Sequence, residues 1–361
     1  MQQIPGTRTR PSLRSWARHG AMLAALLVVL PAGSASGAVT ALVAARVIDG
    51  RSDTLTTATV VLVDGNRISA IGNRSIIPDG AEVVELGDAT LLLAGWTGVR
   101  VMGDADVYYA NQDLRRVIDA GVYLGPHITG AFESVGDDPR NVAFSPEELR
   151  AAVEEASRHG VPVAAHAQGT EGIRQAVAAG VRSIEHGTYV DDQTLHEMVR
   201  RGTYMVPTVY LGDYYAEPDH KLRAQDKNDE YIKHGRAAFL ATLKRAHGYG
   251  VKLVIGPDLG GAIADPAVYA KEFAVFVEAG IPPMAAIQAG TRVAAELLRW
   301  DDRLGTLERG KLADIIAVPG SPLTDISALQ RVSIVMIGGR LVKRPGVNAS
   351  IAGLLPAPDG R

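Results

Sequence analysis

The stretch from Val161 to Tyr189, VPVAAHAQGTEGIRQAVAAGVRSIEHGTY, constrains the fold more than any other part of the chain. Two short apolar runs, VPVAAHA and SIEHG, flank a helical segment. Thr170 is the expected N-cap of that helix and Gly180 the expected residue just past its end. A strand–helix–strand unit of this length lays its two strands parallel, joined by a right-handed crossover. His166 and His186 then stand near the carboxyl ends of neighbouring strands. In a β/α barrel that is the face where chemistry is built. Two imidazoles so placed are a candidate pair of metal ligands; the bland alternative is two buried, hydrogen-bonded histidines.

The same rhythm runs on both sides. From about residue 96 to about residue 302, strand-like and helix-like runs alternate, which predicts an α/β architecture. Strands are expected over 97–103, 125–131, 161–167, 183–188, 204–210 and 252–258. SPEELRAAVEEASRHG carries a full helix-start signal, with Ser145 as N-cap, Pro146 at the first helical position and Glu148 at the third. Further helices are read over NQDLRRVIDAG, DDQTLHEMVRRG, NDEYIKHGRAAFLATLKRAHGYG, DPAVYAKEFAVFVEAG and PPMAAIQAGTRVAAELLRW. Residues 213–228, polar with few apolar anchors, read as a loop over the active face.

Residues 39–95 and 303–345 have a different character. Both carry short β-branched runs broken by turn pairs, with Asp49-Gly50, Asp64-Gly65 and Gly338-Gly339 as turn signals. Neither piece is large enough to stand alone. They are expected to form one small composite β-sandwich domain from both termini, bracketing the 96–302 region and leaving 346–361 as a tail.

Residues 1–38 are set apart. Arg8, Arg10, Arg14 and Arg18 precede an apolar run, Ala21 to Leu30, too short to span a bilayer. Ser36 and Ala38 fit a signal-peptidase site, so a signal peptide over 1–38 and export to a periplasm or the exterior are expected. Secreted material whose N-terminal sequence began at Met1 would exclude this. A formal charge of −3 gives no reason to expect nucleic acid or an anionic membrane as partner. Cysteine is absent, so a thiolate nucleophile is excluded and any metal must be held by nitrogen and oxygen.

VKLVIGPDLG ends a buried strand with Asp258. A carboxylate after an apolar run must be paired, hydrogen-bonded or metal-bound. Alone, it reads as turn chemistry. Beside His166 and His186 it completes two neutral imidazoles and one carboxylate, a sufficient set for a catalytic Zn2+ with a position left for water, whose pKa falls to about 7. Asp258 is then placed to act as general base.

Taken together, these segments resemble the amidohydrolase superfamily, and within it the imidazolonepropionase- and Xaa-Pro dipeptidase-like branch. The resemblance rests on ARVIDGRSD with LVDGNRISAIG, on AAHAQGTEGIRQAVAAGVRSIEHGTY, on the strand ending GPDLG, and on GTRVAAELL with GTLERGKLADIIAV. It implies a metal-bearing (β/α)8 TIM-type barrel with a composite β domain, and hydrolysis of an amide, cyclic amide or dipeptide C–N bond in a small molecule. It also implies one Zn2+ or other divalent transition metal ion, with His166 as fifth-strand ligand, His186 as sixth-strand ligand and Asp258 as eighth-strand acid.

Two pieces of that pattern are missing. LLLAG runs into WTGVRVMG, without the first-strand His-x-His that members carry, and no His-x-His occurs anywhere in the chain. The fourth strand with its lysine is also absent. The barrel is therefore expected to be incomplete, with about six recognisable strands, and to hold one ion rather than a bridged pair. A catalytically impaired relative with a binding or assembly role is the alternative; a homo-oligomer is compatible with either.

Overall fold

The computed structural model describes residues 39–94, 98–101, 127–130, 142, 144–216, 229–258 and 266–344. The signal peptide read over 1–38, the helix read over NQDLRRVIDAG and the tail from 346 lie outside these residues.

Six strands open the described chain: β1 (Thr40–Val43), β2 (Arg46–Val47), β3 (Val60–Asp64), β4 (Arg67–Gly72), β5 (Glu82–Glu85) and β6 (Ala89–Leu93). One sheet runs in the order β4-β3-β1-β5. Asp64-Gly65 makes its hairpin between β3 and β4 as the sequence predicts. Asp49-Gly50 does not make one. The Asp49 carboxylate accepts the amides of Arg51 and Ser52 at 2.9 and 3.0 Å, and β2 pairs in parallel with β6. The side-chain bond that stabilises this turn competes with hairpin pairing, which is why the dipeptide alone misleads.

Two parallel strands follow, β7 (Gly98–Val101) and β8 (His127–Gly130), paired with each other. Next come β9 (Ala164–Ala167), β10 (Ser183–His186), β11 (Tyr204–Val206) and β12 (Lys252–Leu253). These four form one parallel sheet in the order β12-β11-β10-β9. All six expected α/β strands are therefore present, as a pair and a foursome. Among the described residues they do not close into a barrel.

All four strands of this sheet are shorter than expected, β11 and β12 most of all. The 204–210 run ends as a strand at Val206 because Pro207 has no amide to give the ladder and Thr208 turns left-handed, at φ 51°. The 252–258 run stops pairing after Leu253, ahead of Gly256-Pro257.

The last described strands, β13 (Ile315–Pro319), β14 (Ile334–Ile337) and β15 (Arg340–Lys343), return to the first ones. β13 lies antiparallel to β6 from Ile315↔Leu93 to Pro319↔Ala89, giving the five-stranded order β15-β14-β13-β6-β2. Gly338 and Gly339, both at positive φ, form the tight turn into β15, which requires left-handed backbone at both central positions. Leu91, Leu93, Ile315, Ala317, Ile334 and Met336 bury one face of this sheet with Val61 and Ile68 from the other.

Helices fill the intervals of the parallel sheet. α1 (Pro146–Arg158) has the expected capping box: Ser145 Oγ accepts from the Glu148 amide, and a Glu148 carboxylate oxygen accepts from the Ser145 amide at 2.8 Å. α2 (Thr170–Ala179) is capped by Gly169, not by Thr170, whose hydroxyl instead donates to the Tyr189 carbonyl at 2.6 Å. That bond ties the start of α2 to the loop after β10. α3 (Asp192–Arg201) is capped by Asp191. α4 (Tyr210–Ala216) replaces the first part of the loop read over 213–228; the remainder of that loop lies outside the described residues. α5 (Asp229–Tyr249), α6 (Pro266–Tyr269), α7 (Lys271–Glu278), α8 (Pro283–Ala289) and α9 (Arg292–Leu298) complete the set. The last two helices of the sequence reading thus each break in two. The main α/β core gathers Ile184, Met205 and Leu253 from the sheet with Ile173, Leu195, Leu243 and Phe276 from the helices.

Candidate active site

Four non-glycine residues of the described chain have positive φ: His186 at 70°, Thr208 at 51°, Asp258 at 52° and Arg299 at 59°. Arg299 caps α9. The other three stand at or just past the carboxyl ends of β10, β11 and β12, neighbouring strands of one parallel sheet. Left-handed backbone at a residue with a side chain costs roughly 1–3 kcal/mol and persists where the surroundings over-determine it, most often at functional sites. Thr208 is the extreme case, because β-branched residues are the least tolerant of this region.

The two histidines of the sequence reading meet here. His166 Nδ1 lies 2.9 Å from His186 Nε2, with the rings tilted 38° and their centroids 5.1 Å apart. On its other side His186 Nδ1 lies 2.7 Å from Thr208 Oγ1. His186 is 6% exposed, and burial, reinforced by the neighbouring His166 ring, pushes its pKa down to about 3. It is therefore a neutral imidazole at any ordinary pH, the form in which histidine binds a metal. His166, on β9, is half-buried.

Asp258 is exposed, at the carboxyl-terminal side of β12. Among the described residues no three His, Cys, Asp or Glu side chains gather on one point as a metal-binding group. The structure brings His166 and His186 together and does not gather Asp258 into such a group with them.

The neighbouring residues sort themselves by direction. Glu185 turns to the far side of β10 and accepts the buried Ser183 hydroxyl at 2.6 Å. Gln168 has its side-chain oxygen buried, with no hydrogen-bond partner among the described residues. Tyr210 is buried, and Lys271 Nζ donates to its hydroxyl at 2.7 Å.

Sequence reasoning missed two residues. Thr208 was hidden inside an over-long strand. Glu272, on α7, is fully buried; its two carboxyl oxygens accept the amides of Val209 and Tyr210 at 2.9 and 2.7 Å. Burial pushes its pKa up to about 7 against those two hydrogen bonds, with Asp213 adding to the rise. A signal existed: Glu272 sits one position before Phe273 and four before Phe276, on the apolar face of a helix, where a charge is out of place.

Residues 132–342 match the model of the Amidohydrolase family. The chain belongs to the amidohydrolase family. It is 31% identical to ochratoxinase of Aspergillus niger over 252 residues, which is 65% of this chain and 50% of that protein. It is 28% identical to imidazolonepropionase of Mesorhizobium japonicum over 177 residues, 48% of this chain and 39% of that enzyme. The chain spans about half the length, or less, of the curated relatives it matches. Among solved structures, a Xaa-Pro dipeptidase with methionine bound in its active site superposes with a TM-score of 0.75 at 28% identity, covering 85% of this chain and all of that one. These neighbours bear out the imidazolonepropionase- and dipeptidase-like branch of this amidohydrolase-family member. Ochratoxinase superposes with a TM-score of 0.70 at 22% identity over 86% of the chain, a likeness of fold. Among the described residues no helix is long and apolar enough to cross a membrane.

Proposed function

We propose that this chain is a metal-dependent hydrolase of C–N bonds in a small amide, cyclic amide or dipeptide, holding one divalent ion, Zn2+ in the simplest case, on His166 and His186, with Asp258, which is not grouped with that pair in the structure, drawn in as the third ligand. The 2.9 Å approach of His166 Nδ1 to His186 Nε2 carries the reading. Two Zn–N bonds of about 2.0–2.1 Å at a tetrahedral angle set the nitrogens roughly 3.3–3.4 Å apart, so the imidazoles need to part by only about half an ångström to share one cation. Bound there, the ion supplies Lewis acidity at an amide carbonyl and makes water acidic near neutral pH.

The chain's own residues do the rest. Burial keeps His186 neutral, and a Thr208 hydroxyl that accepts its Nδ1–H leaves Nε2 as the ligand atom. Asp258 takes the proton of the attacking water and returns it to the departing nitrogen. The β13–β6 pairing supports a β domain built from 39–95 and 303–345 around a barrel-type domain over 96–302.

Metal analysis of the purified chain, with a screen of dipeptides and N-acyl amino acids, tests this. Bound Zn, Mn or Fe near one equivalent, lost in His166→Ala, is expected. Metal-free protein that gains neither metal nor turnover when zinc is added sinks the proposal. One observation favours a second reading: the histidine contact is also short enough to be a direct hydrogen bond, and the chain has no His-x-His. That suits a non-catalytic relative with a binding or assembly role, which unchanged behaviour of His166→Ala would support.

A further inference from the structure

Glu272 is a buried carboxylate near this site that the proposed chemistry does not use. It sits on α7, remote in sequence from both histidines, and contacts neither of them by hydrogen bond. It instead grips the main chain of the segment between β11 and α4. Its two oxygens accept consecutive amides, Val209 at 2.9 Å and Tyr210 at 2.7 Å. The residue just before that pair is Thr208, held left-handed at φ 51° with its hydroxyl 2.7 Å from His186 Nδ1. A threonine leaves such a conformation unless something holds it there. Two adjacent amides fixed by one carboxyl group set the orientation of the peptide that follows Thr208, and so help hold its φ and ψ.

The series is continuous: Glu272 to the amides of 209 and 210, the Thr208 turn, Thr208 Oγ1 to His186 Nδ1, and His186 Nε2 to His166 Nδ1. The tautomer of a histidine is set by what its other ring nitrogen meets. We infer that Glu272 is a positioning residue: by clamping the 209–210 amides it fixes the Thr208 hydroxyl as acceptor for His186 Nδ1–H and so keeps the Nε2 lone pair turned toward His166. Its effect on a cation rests on the metal reading given above; its effect on the imidazole does not.

Glutamine at 272 separates this role from simple packing. It preserves the volume and one acceptor oxygen, but its amide nitrogen cannot accept, so one of the two backbone amides is left unbonded. The test uses the full chain with Glu272→Gln, Thr208→Val, Thr208→Ser and the Glu272→Gln/Thr208→Val double variant. In metal-free, 15N-labelled protein, long-range proton–nitrogen spectra should show His186 as a single Nδ1–H tautomer in wild type and Thr208→Ser. Both Glu272→Gln and Thr208→Val should show mixed tautomers. Zinc affinity, read by competition with a chromophoric chelator, should fall about 10–100-fold in each of the latter two, the usual loss for a partner that orients a ligand. The double variant should bind no more weakly than Thr208→Val alone, because both changes cut the same series.

An unchanged tautomer and affinity in Glu272→Gln, or losses that multiply in the double variant, overturns the inference even where the melting temperature drops. If wild type takes up no zinc, the metal reading fails by itself; the tautomer spectra still decide this one, a mixed tautomer in Glu272→Gln supporting it and an unchanged one overturning it. Should Glu272→Gln not fold, Glu272→Asp, which draws both acceptors back by one methylene, is read the same way.

Discussion

The two histidine-bearing strands are built differently. All four residues of β10 are buried, and it lies between β9 and β11. β9 is half-buried throughout and is the last strand of the four-stranded sheet. His186 accordingly has both ring nitrogens engaged, with a left-handed backbone and a depressed pKa. The helix ahead of β9, α1, has no buried residue, whereas α2 and α3 each bury three. One half of the candidate site is thus set into the core and the other is laid against it. The site's rigidity therefore comes from the β10–β11 side, and His166 is the more adjustable partner.

His186→Ala and His166→Ala should each weaken zinc binding more than about 100-fold by calorimetry, beyond the usual loss for an orienting partner. His186→Ala should in addition destabilise the fold by about 1–3 kcal/mol, since it leaves a buried partner unpaired. Equal stability of the two variants in urea would erase the distinction between the strands.

The next effect is in the core. Ile184→Ala, at a fully buried position of β10, should cost about 2–5 kcal/mol. Val163→Ala, half-buried ahead of β9, should cost about 1 kcal/mol. Matching unfolding midpoints would mean that both strands share one core equally.

A pH effect follows from Glu272 on the β11 side. Its folded pKa of about 7 lies above the ordinary 4.5, so between those values the folded state holds a proton that the unfolded chain has lost. Stability should therefore fall as pH rises through that window, by ~1.4 kcal/mol per pH unit at most, and level off above it. Glu272→Gln should flatten this slope in chemical-denaturation series; a slope that survives assigns it to another group.

The smallest effect belongs to the β9 side. Ser145→Ala removes the α1 cap, worth about 1 kcal/mol. Because α1 buries nothing, the loss should show as faster amide exchange in its first turn rather than as a shift of the global midpoint.

Much of this was legible in the chain itself. Ser145-Pro146 with Glu148 announces α1 because the capping box is a local, sequence-adjacent interaction. The six α/β strands were placed by their apolar runs, and His166 and His186 by their position at strand ends. What escaped depended on the backbone or on distant partners. Thr208 reads as strand because β-branched residues favour it; Pro207 and the pull of Glu272, 64 positions on, override that preference. Thr170 has the right chemistry for a cap but its hydroxyl finds the Tyr189 carbonyl, a contact that exists after β10 is in place. Asp49-Gly50 fails for a local reason: its carboxylate takes the amides two and three residues on, which a hairpin would have used elsewhere.

The left-handed corners at 186 and 258 carry a consequence for how this mouth can change over generations. Apart from glycine, that corner of conformational space is entered most readily by asparagine, aspartate and histidine. Two of those three are also ordinary metal-binding side chains. The bend of the main chain thus acts as a filter on the genetic alphabet, passing cation-binding residues and rejecting bulky aliphatic ones before any selection on activity begins.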